Sequence, residues 1–249
     1  MLLRSITQHV KDQNWFAVAL DFLIVVVGIL IAFQITNWNE ARTERLNEAH
    51  YLERLDTEFD VIRTRLIDGK RIFGSSVRNI NLLLKAHREY AANPDGNLPD
   101  DDVLGPALAE ITSGRIPAGS PAAFKEMISS GALQTLTSED LRQALFAYDE
   151  FAAIAREGWR TIRDEQHASA NRLFSLLDLA ASGLSGDKDV GGLSGLEIIR
   201  FDRQTFLENT EMRGALSILL IAQINQYSLL EQQLQLAEEI ESLIAQEHQ

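Results

Sequence analysis

An apolar run near the N-terminus constrains this fold more than any other feature. Every residue from Phe22 to Phe33 is apolar or glycine, and Trp15 and Trp38 stand at the ends of the wider segment. A bilayer core needs about 20 residues of helix, and tryptophan is enriched at both headgroup levels. The run predicts one transmembrane helix over residues 14–38. We expect a retained signal anchor, because no small-residue cleavage site follows the run.

Polar and small residues inside the predicted span indicate where it meets its surroundings. Asp21 lies a few residues inside the first tryptophan. A carboxylate costs about 2.5–3.5 kcal/mol at the bilayer centre and less near the edge. Asp21 is therefore either an acid at the headgroup boundary or a site that faces neighbouring helices, and Gln34 presents the same choice at the other edge. Gly28 and Ala32 form a small-residue pair that lets two helices approach closely.

The residues flanking the span bear on its orientation. Residues 1–13 place their larger apolar side chains on one helical face and predict an amphipathic helix in the membrane interface. Arg4 and Lys11 precede the span, and Arg42 and Arg45 follow it, so the positive-inside rule gives a tie. The N-terminal amine favours a cytoplasmic N-terminus. We expect a single-pass protein of the bacterial inner membrane with a periplasmic C-terminal domain.

The excess of acidic residues lies entirely after the span. The net charge is -13, whereas residues 1–38 carry two basic and two acidic residues and sum to zero. An acidic surface repels nucleic acid, so no nucleic-acid partner is expected. The chain has no cysteine, which excludes a disulfide framework, a thiol nucleophile and thiolate metal ligands.

Beyond the span the chain has the apolar periodicity of packed helices. Spacings of three and four residues are typical of a helix that packs on other helices. Three long helices are predicted, over residues 39–92, 138–182 and 210–248, with short helices and loops at 93–137 and 183–209. The sequence thus predicts an all-α fold, in which one N-terminal transmembrane helix leads into an elongated antiparallel bundle forming a domain over 39–249. We expect a bend or local unwinding near Gly69 and Gly74, where the register slips.

Three polar residues occupy apolar seam positions of the predicted helices: Gln166, Ser169 and Gln223. Buried amides need hydrogen-bond partners, so these residues either form a polar layer that sets the helix register or bind a small ligand. Ser129, Ser130 and Gly131 end a predicted short helix. Their hydroxyl groups either cap the backbone or contact a ligand.

Two stretches resemble a bacterial family of single-pass membrane proteins of unknown function. They are "LIVVVGILIAFQITNWNEAR" and "AFKEMISSGALQTLTSEDLRQALFAYDE". Family members share an apolar span that ends in an N-W-N-E-like sequence. They also share a later segment that resembles ExxxSSGxLxLI…xLRxxLxxYY. The residues that fall on that segment are Glu126, Ser129, Ser130, Gly131, Leu133, Leu141, Arg142, Leu145 and Tyr148. Asp149 stands where the pattern has a second tyrosine. The resemblance implies membrane anchorage and a helical domain, and it brings no activity.

Sequence motifs give no support for catalysis. A Walker loop, a dinucleotide fingerprint, a G-x-S-x-G elbow and paired Glu-x-x-His motifs are all missing from the sequence. We expect no catalytic residue, no cofactor and no metal. The leading hypothesis is a non-catalytic, membrane-anchored scaffold or interaction protein, which self-associates or serves as an accessory subunit of a larger membrane complex. The alternative is an extracytoplasmic ligand-sensing domain that signals through a partner, and a metal-dependent hydrolase is the third hypothesis.

Overall fold

A computed structural model of the chain describes residues 15–181 and 196–247. This part of the chain is almost wholly helical, which confirms the all-α class. The described residues divide into two compact units, hereafter the first and the second unit, with the boundary between Tyr51 and Leu52. The predicted interfacial helix, residues 1–13, lies outside the described residues.

Six α-helices, a short 3-10 helix and one β-hairpin make up the described chain. The elements are α1 (Trp15–Ala92), α2 (Asp101–Ala109), α3 (Ala122–Ser130), the 3-10 helix (Ala132–Thr135), α4 (Glu139–Phe174), β1 (Leu177–Ala181), β2 (Leu196–Phe201), α5 (Arg203–Glu208) and α6 (Thr210–Glu247). The three long predicted helices correspond to α1, α4 and α6.

Helix α1 runs without interruption from the apolar segment into the second unit. Of the bend or local unwinding expected near Gly69 and Gly74, the unwinding is wrong, because both residues are helical. A Cβ atom on Gly69 would lie 2.7 Å from Cδ1 of Leu230 on α6. Gly69 is therefore a packing position, where the missing side chain leaves room for α6.

Helix α4 ends eight residues earlier than the predicted boundary at residue 182. Residues Leu177–Ala181 instead form β1, which pairs antiparallel with β2. The sequence of β2, "LEIIRF", is rich in residues that favour strands. A lone hairpin is marginally stable in water, and Ile198 and Phe201 of β2 pack against the buried core. The spacing of Leu173, Leu176 and Ala180 imitates a helical seam, which is why the strand was not predicted.

Helix α6 runs antiparallel to the part of α1 that lies in the second unit. Arg63 bonds to Glu241, with Nε and Oε1 3.1 Å apart, and Lys70 pairs with Glu231. The residue number therefore rises along α1 as it falls along α6. These half-exposed ion pairs flank the apolar seam and contribute little stability by themselves.

Helix α6 also runs antiparallel to α4. Tyr148 of α4 lies beside Gln233 of α6, and Gln166 lies beside Gln226. Since both α1 and α4 oppose α6, they run in the same direction. Phe59 of α1 accordingly meets Tyr148 with ring centres 5.1 Å apart. The antiparallel arrangement expected for the bundle thus holds for α6 against its two neighbours.

Two parallel helices require the chain to travel back between them. Residues 110–121, hereafter the return segment, contain neither helix nor strand. Ser76 of α1 contacts the start of this segment, through Glu110, and Glu58 of α1 contacts Ala123 just beyond its end. Ser76 and Glu58 are about 27 Å apart at 1.5 Å per residue of helix, so the return segment covers about five turns of α1.

Side chains from α1 and α6 satisfy buried carbonyl groups of the return segment. Gln223 Nε2 donates to the Ile111 carbonyl at 2.9 Å, and Gln233 Nε2 donates to the Ala118 carbonyl at 2.7 Å. Ile111 and Ala118 are both buried. The Ser76 hydroxyl lies 2.9 Å from the Glu110 carbonyl. An unmatched buried carbonyl would cost about 1–3 kcal/mol, so these bonds hold the segment in place.

The N-terminus of the short helix α3 is capped by a side chain that is distant in sequence. Its Ala123 N–H donates to both carboxylate oxygens of Glu58 on α1, each at 3.2 Å. A carboxylate at a helix N-terminus also meets the positive end of the helix dipole. Gly131 closes the helix in the left-handed conformation, with φ 76°, as the sequence predicts. Pro121 occupies the N-cap position, one residue before the helix.

We expect Gln233→Leu to lower the free energy of unfolding by about 2 kcal/mol. The substitution removes the amide N–H donor that bonds to both the Ala118 carbonyl and the Tyr148 hydroxyl, and these two groups stay buried without it. Gln232→Leu is the matched control, because Gln232 is exposed on the same helix turn, and it should change stability by less than about 0.5 kcal/mol. Urea unfolding of the full chain in detergent, followed by far-ultraviolet circular dichroism, measures both. Equal midpoints for the two variants would contradict the role given to Gln233.

Candidate functional site

The residues predicted to contact membrane or neighbouring helices lie on the first part of α1. Asp21, Gly28, Ala32, Gln34 and Trp38 are all exposed, and nothing lies within 4 Å of a Cβ built on Gly28. The side chain of Trp15 is outside the described part of the chain. Within that part, α1 is the one helix long and apolar enough to cross a membrane.

Helical geometry places Asp21 on the same face as the small-residue pair. Asp21 and Gly28 are seven residues apart, which leaves them within about 20° of each other around the helix axis. Ala32 follows one turn later. Gln34 projects from a different face of α1. The acid and the two small residues therefore form one line along the span.

The hydroxyl groups of Ser129 and Ser130 serve the backbone of α3. Both donate to the carbonyl of Glu126, at 3.0 and 2.8 Å. The carboxylate of Glu126 pairs with Arg54 of α1 at 2.8 Å. Of the two roles left open by the sequence, the geometry supports backbone capping at the end of α3, where Gly131 reverses the chain.

Arg142 and Tyr148 hold α4 in position. Arg142 donates to the Leu136 carbonyl and pairs with Glu139, which fixes the turn before α4. Tyr148 is fully buried, and its hydroxyl accepts from Gln233 Nε2 at 3.1 Å. Burial raises the pKa of Tyr148, so this hydroxyl stays protonated. Both residues have structural partners within the bundle.

The three polar seam residues predicted from the sequence are all buried, but Gln166 and Gln223 have different hydrogen-bond partners. Gln223 bonds to the return segment, whereas Gln166 Oε1 accepts from Gln226 Nε2 at 3.2 Å. Ser169 is buried one turn after Gln166 on α4. The Nε2 atom of Gln166 is buried and has no hydrogen-bond partner within the described chain. It is a donor that the fold itself does not use.

Sequence analysis missed two functional amides of α6. Gln226 and Gln233 are both buried and follow Gln223 by three and ten residues, a spacing that keeps all three near one helix face. The signal was present in the spacing. Tyr227 and Leu234 follow Gln226 and Gln233 in the sequence and fit the apolar spacing of a packed helix, so the two glutamines were not expected to be buried.

A cleft of about 290 Å³ lies against α4, bordered by α6 and the return segment. Its lining includes Trp159, Arg163, Gln166 and His167 from α4 and Gln226 from α6. These α4 residues are spaced by three and four and so share one helical face. The Arg163 guanidinium lies 5.2 Å from the Trp159 ring centre, in a cation–π contact. None of the described lining residues is acidic.

Titratable side chains are otherwise scattered. Among the side chains that the structure describes, which leave out those of residues 164 and 165, no three histidine or acidic residues converge as a possible metal site. His87 of α1 is buried, with only 4% of its surface exposed, and its Nε2 atom has no hydrogen-bond partner within the described chain. Its ring lies 4.4 Å from that of Phe206. Burial lowers the pKa of His87 from 6.5 to about 4, and the positive charge of Arg213 adds to this effect.

The lowered pKa of His87 makes stability depend on pH. Unfolding restores the ordinary pKa, so the unfolded chain binds a proton more readily than the folded chain between pH 6.5 and 4. The contribution is fully present above pH 6.5 and is lost as the pH falls towards 4. The full loss is on the order of 2–3 kcal/mol. We expect His87→Leu to reduce this dependence.

Urea unfolding at pH 7.5, 6, 5 and 4 measures the effect as the difference between the variant and the unsubstituted chain. This difference removes the contribution of carboxylates that titrate in the same range. His50→Leu is the control, because His50 is exposed, and it should leave the pH dependence unchanged. Parallel curves for His87→Leu and the unsubstituted chain would show that His87 does not titrate on unfolding.

No family model, no curated protein and no solved structure matches this chain. The resemblance to a family of single-pass membrane proteins therefore stays a prediction from the sequence.

Proposed function

We propose that the chain is a membrane-anchored, non-catalytic helical protein that holds a partner, either a second copy of itself or a subunit of a larger membrane complex. The observation that carries this proposal is the exposed apolar surface of α1. Phe22, Ile29 and Phe33 are 70%, 51% and 62% exposed. Removing each such side chain from water is worth about 1.5–3 kcal/mol, so a row of them favours lipid or another helix as its surroundings.

Association through the span is supported by the line of Asp21, Gly28 and Ala32. Small residues let two helix backbones approach closely, where van der Waals contact and polar groups stabilise the pair. An acid on that face is sheltered from lipid by the partner helix. Of the two roles open to Asp21, the shared face favours contact with a neighbouring helix over simple placement at the headgroup boundary.

The proposed orientation puts the N-terminus in the cytoplasm and residues 52–249 in the periplasm of a bacterial cell. The basic residues on the two sides of the span are equal in number and favour neither orientation. The acidic second unit would face a compartment without nucleic acid, which suits its charge. The bilayer and a protein partner are then the two surfaces that the chain contacts.

A second candidate function, ligand sensing, is favoured by one observation. The cleft beside α4 is lined by Gln166, whose buried amide nitrogen has no hydrogen-bond partner within the described chain. Such a domain would pass its signal to a partner protein. The two functions are compatible, because a scaffold whose bundle binds a ligand can change its hold on a partner.

Single cysteines test association through the span, since the chain has none of its own. We expect Gly28→Cys and Ala32→Cys to form disulfide-linked dimers when membranes are treated with a permeant oxidant. Leu30→Cys is the control, because Leu30 lies on the opposite side of the helix at about 100° per residue. Equal cross-linking at all three positions, or at none, would remove the support for a specific helix pair.

A reporter enzyme tests anchorage and orientation together. An alkaline phosphatase that is active only after export, fused after Gln249, should be active and should remain with the membrane after alkaline extraction. Val27→Lys combined with Ile31→Lys should abolish both properties, because each charge costs about 2.5–3.5 kcal/mol near the bilayer centre. Leu46→Lys combined with Thr43→Lys is the control at exposed positions beyond the apolar run. Membrane retention without reporter activity would reverse the orientation and keep the anchor.

A further inference from the structure

We infer that the cleft beside α4 binds a small organic acid, with its carboxylate held by Arg163 and Gln166 and its apolar part against Trp159 and Phe174. These residues all line the cleft. The inference concerns the second unit alone and does not depend on membrane anchorage or on association through the span.

The charge of the lining selects the sign of the ligand. The chain as a whole carries a net charge of -13, yet the described lining of this cleft contains Arg163 and His167 and no acid. The two basic residues lie four apart on α4 and therefore point to the same side. A cleft with this lining in an acidic protein attracts anions locally while the rest of the surface repels them.

The donor set favours a carboxylate. A guanidinium offers parallel N–H groups that match two carboxylate oxygens, and its stacking on Trp159 at 5.2 Å limits the orientations it adopts. Gln166 adds a buried N–H donor with no partner within the described chain. Its Oε1 is already engaged by Gln226, which fixes the amide so that only its nitrogen remains to bind an acceptor.

Size and apolar lining restrict the ligand further. A volume of about 290 Å³ lies at the small end of ligand sites. Trp159 and Phe174 are the aromatic members of the lining, and they suit a flat or branched apolar group. A compact monocarboxylate with a ring or a branched chain meets these conditions, whereas a large or strongly polar anion leaves the aromatic surface uncovered.

Three probes of nearly equal shape separate charge from fit: benzoate, benzamide and benzylamine. Each is titrated into the full chain in detergent by calorimetry, with empty micelles as the blank. Saturation-transfer NMR on the probe confirms contact with protein. We expect saturable binding of benzoate with a dissociation constant below about 10 mM, at least tenfold weaker binding of benzamide and no saturable binding of benzylamine.

Gln166→Glu is the sharpest variant. It retains an oxygen that accepts from Gln226 and replaces only the unpartnered Nε2 with a second oxygen. We expect it to weaken benzoate binding at least tenfold while far-ultraviolet circular dichroism and the urea midpoint show a folded chain. Arg163→Gln should have a similar effect. Arg160→Gln is the matched control, since Arg160 is exposed on the same helix and pairs with Glu157, and it should bind benzoate as the unsubstituted chain does.

Several results would overturn the inference. Benzamide binding as tightly as benzoate would show that charge plays no part. Benzoate affinity unchanged in both Gln166→Glu and Arg163→Gln, with folded chains, would place any binding elsewhere. An absence of saturable benzoate binding up to about 10 mM would leave water as the partner of Gln166 and reject an organic-acid site.

Discussion

The requirement that buried carbonyl groups find donors governs the second unit of this protein. Helices α1 and α4 run parallel, so the chain must return between them, and the buried carbonyl groups of Ile111 and Ala118 on the return segment need hydrogen-bond donors. Gln223 and Gln233 reach across from α6 and supply the N–H donors at 2.9 and 2.7 Å. Because the two amides are ten residues apart on one helix, they fix the return segment at two points. The same bonds thereby fix the relative register of α6 and the return segment.

Periodicity predicted the long helices because their seams are built from apolar residues at local spacings. The direction of packing depends on long-range contacts, so the sequence did not indicate that α1 and α4 are parallel. Gly69 shows that a prediction from local sequence can also fail within a correctly predicted helix. Its lack of a side chain suggested weakness in the helix, whereas the structure uses that gap to admit Leu230 of α6. A local rule for glycine gave the wrong result because tertiary contact determined its role.

Hydrogen bonds between residues close in sequence could be predicted at the candidate site, whereas those between distant residues could not. Ser129 and Ser130 bond to a carbonyl three and four residues away, and backbone capping was among the roles foreseen for them. Gln166 and Gln223 were expected to share one polar layer, but the return segment takes Gln223 for its own carbonyl. That segment has no periodic pattern, so the sequence did not predict that its carbonyl groups would need hydrogen-bond donors from α6. Gln226 replaced Gln223 as the partner of Gln166 for the same reason.

The pairing of hydrogen-bond donors and acceptors also explains why Gln166, which lines the cleft beside α4, has an unpaired amide nitrogen. The return segment provides a carbonyl for Gln223 and another for Gln233, while Gln226, between them on α6, bonds to Gln166 instead. One side-chain amide of the pair serves as acceptor and its nitrogen remains unused. A donor left over in a dry core would simply destabilise the fold. Gln166 instead borders a cleft that Arg163 also lines, so the residue with the unused donor lies beside a positive charge, as the proposed binding of an organic acid requires.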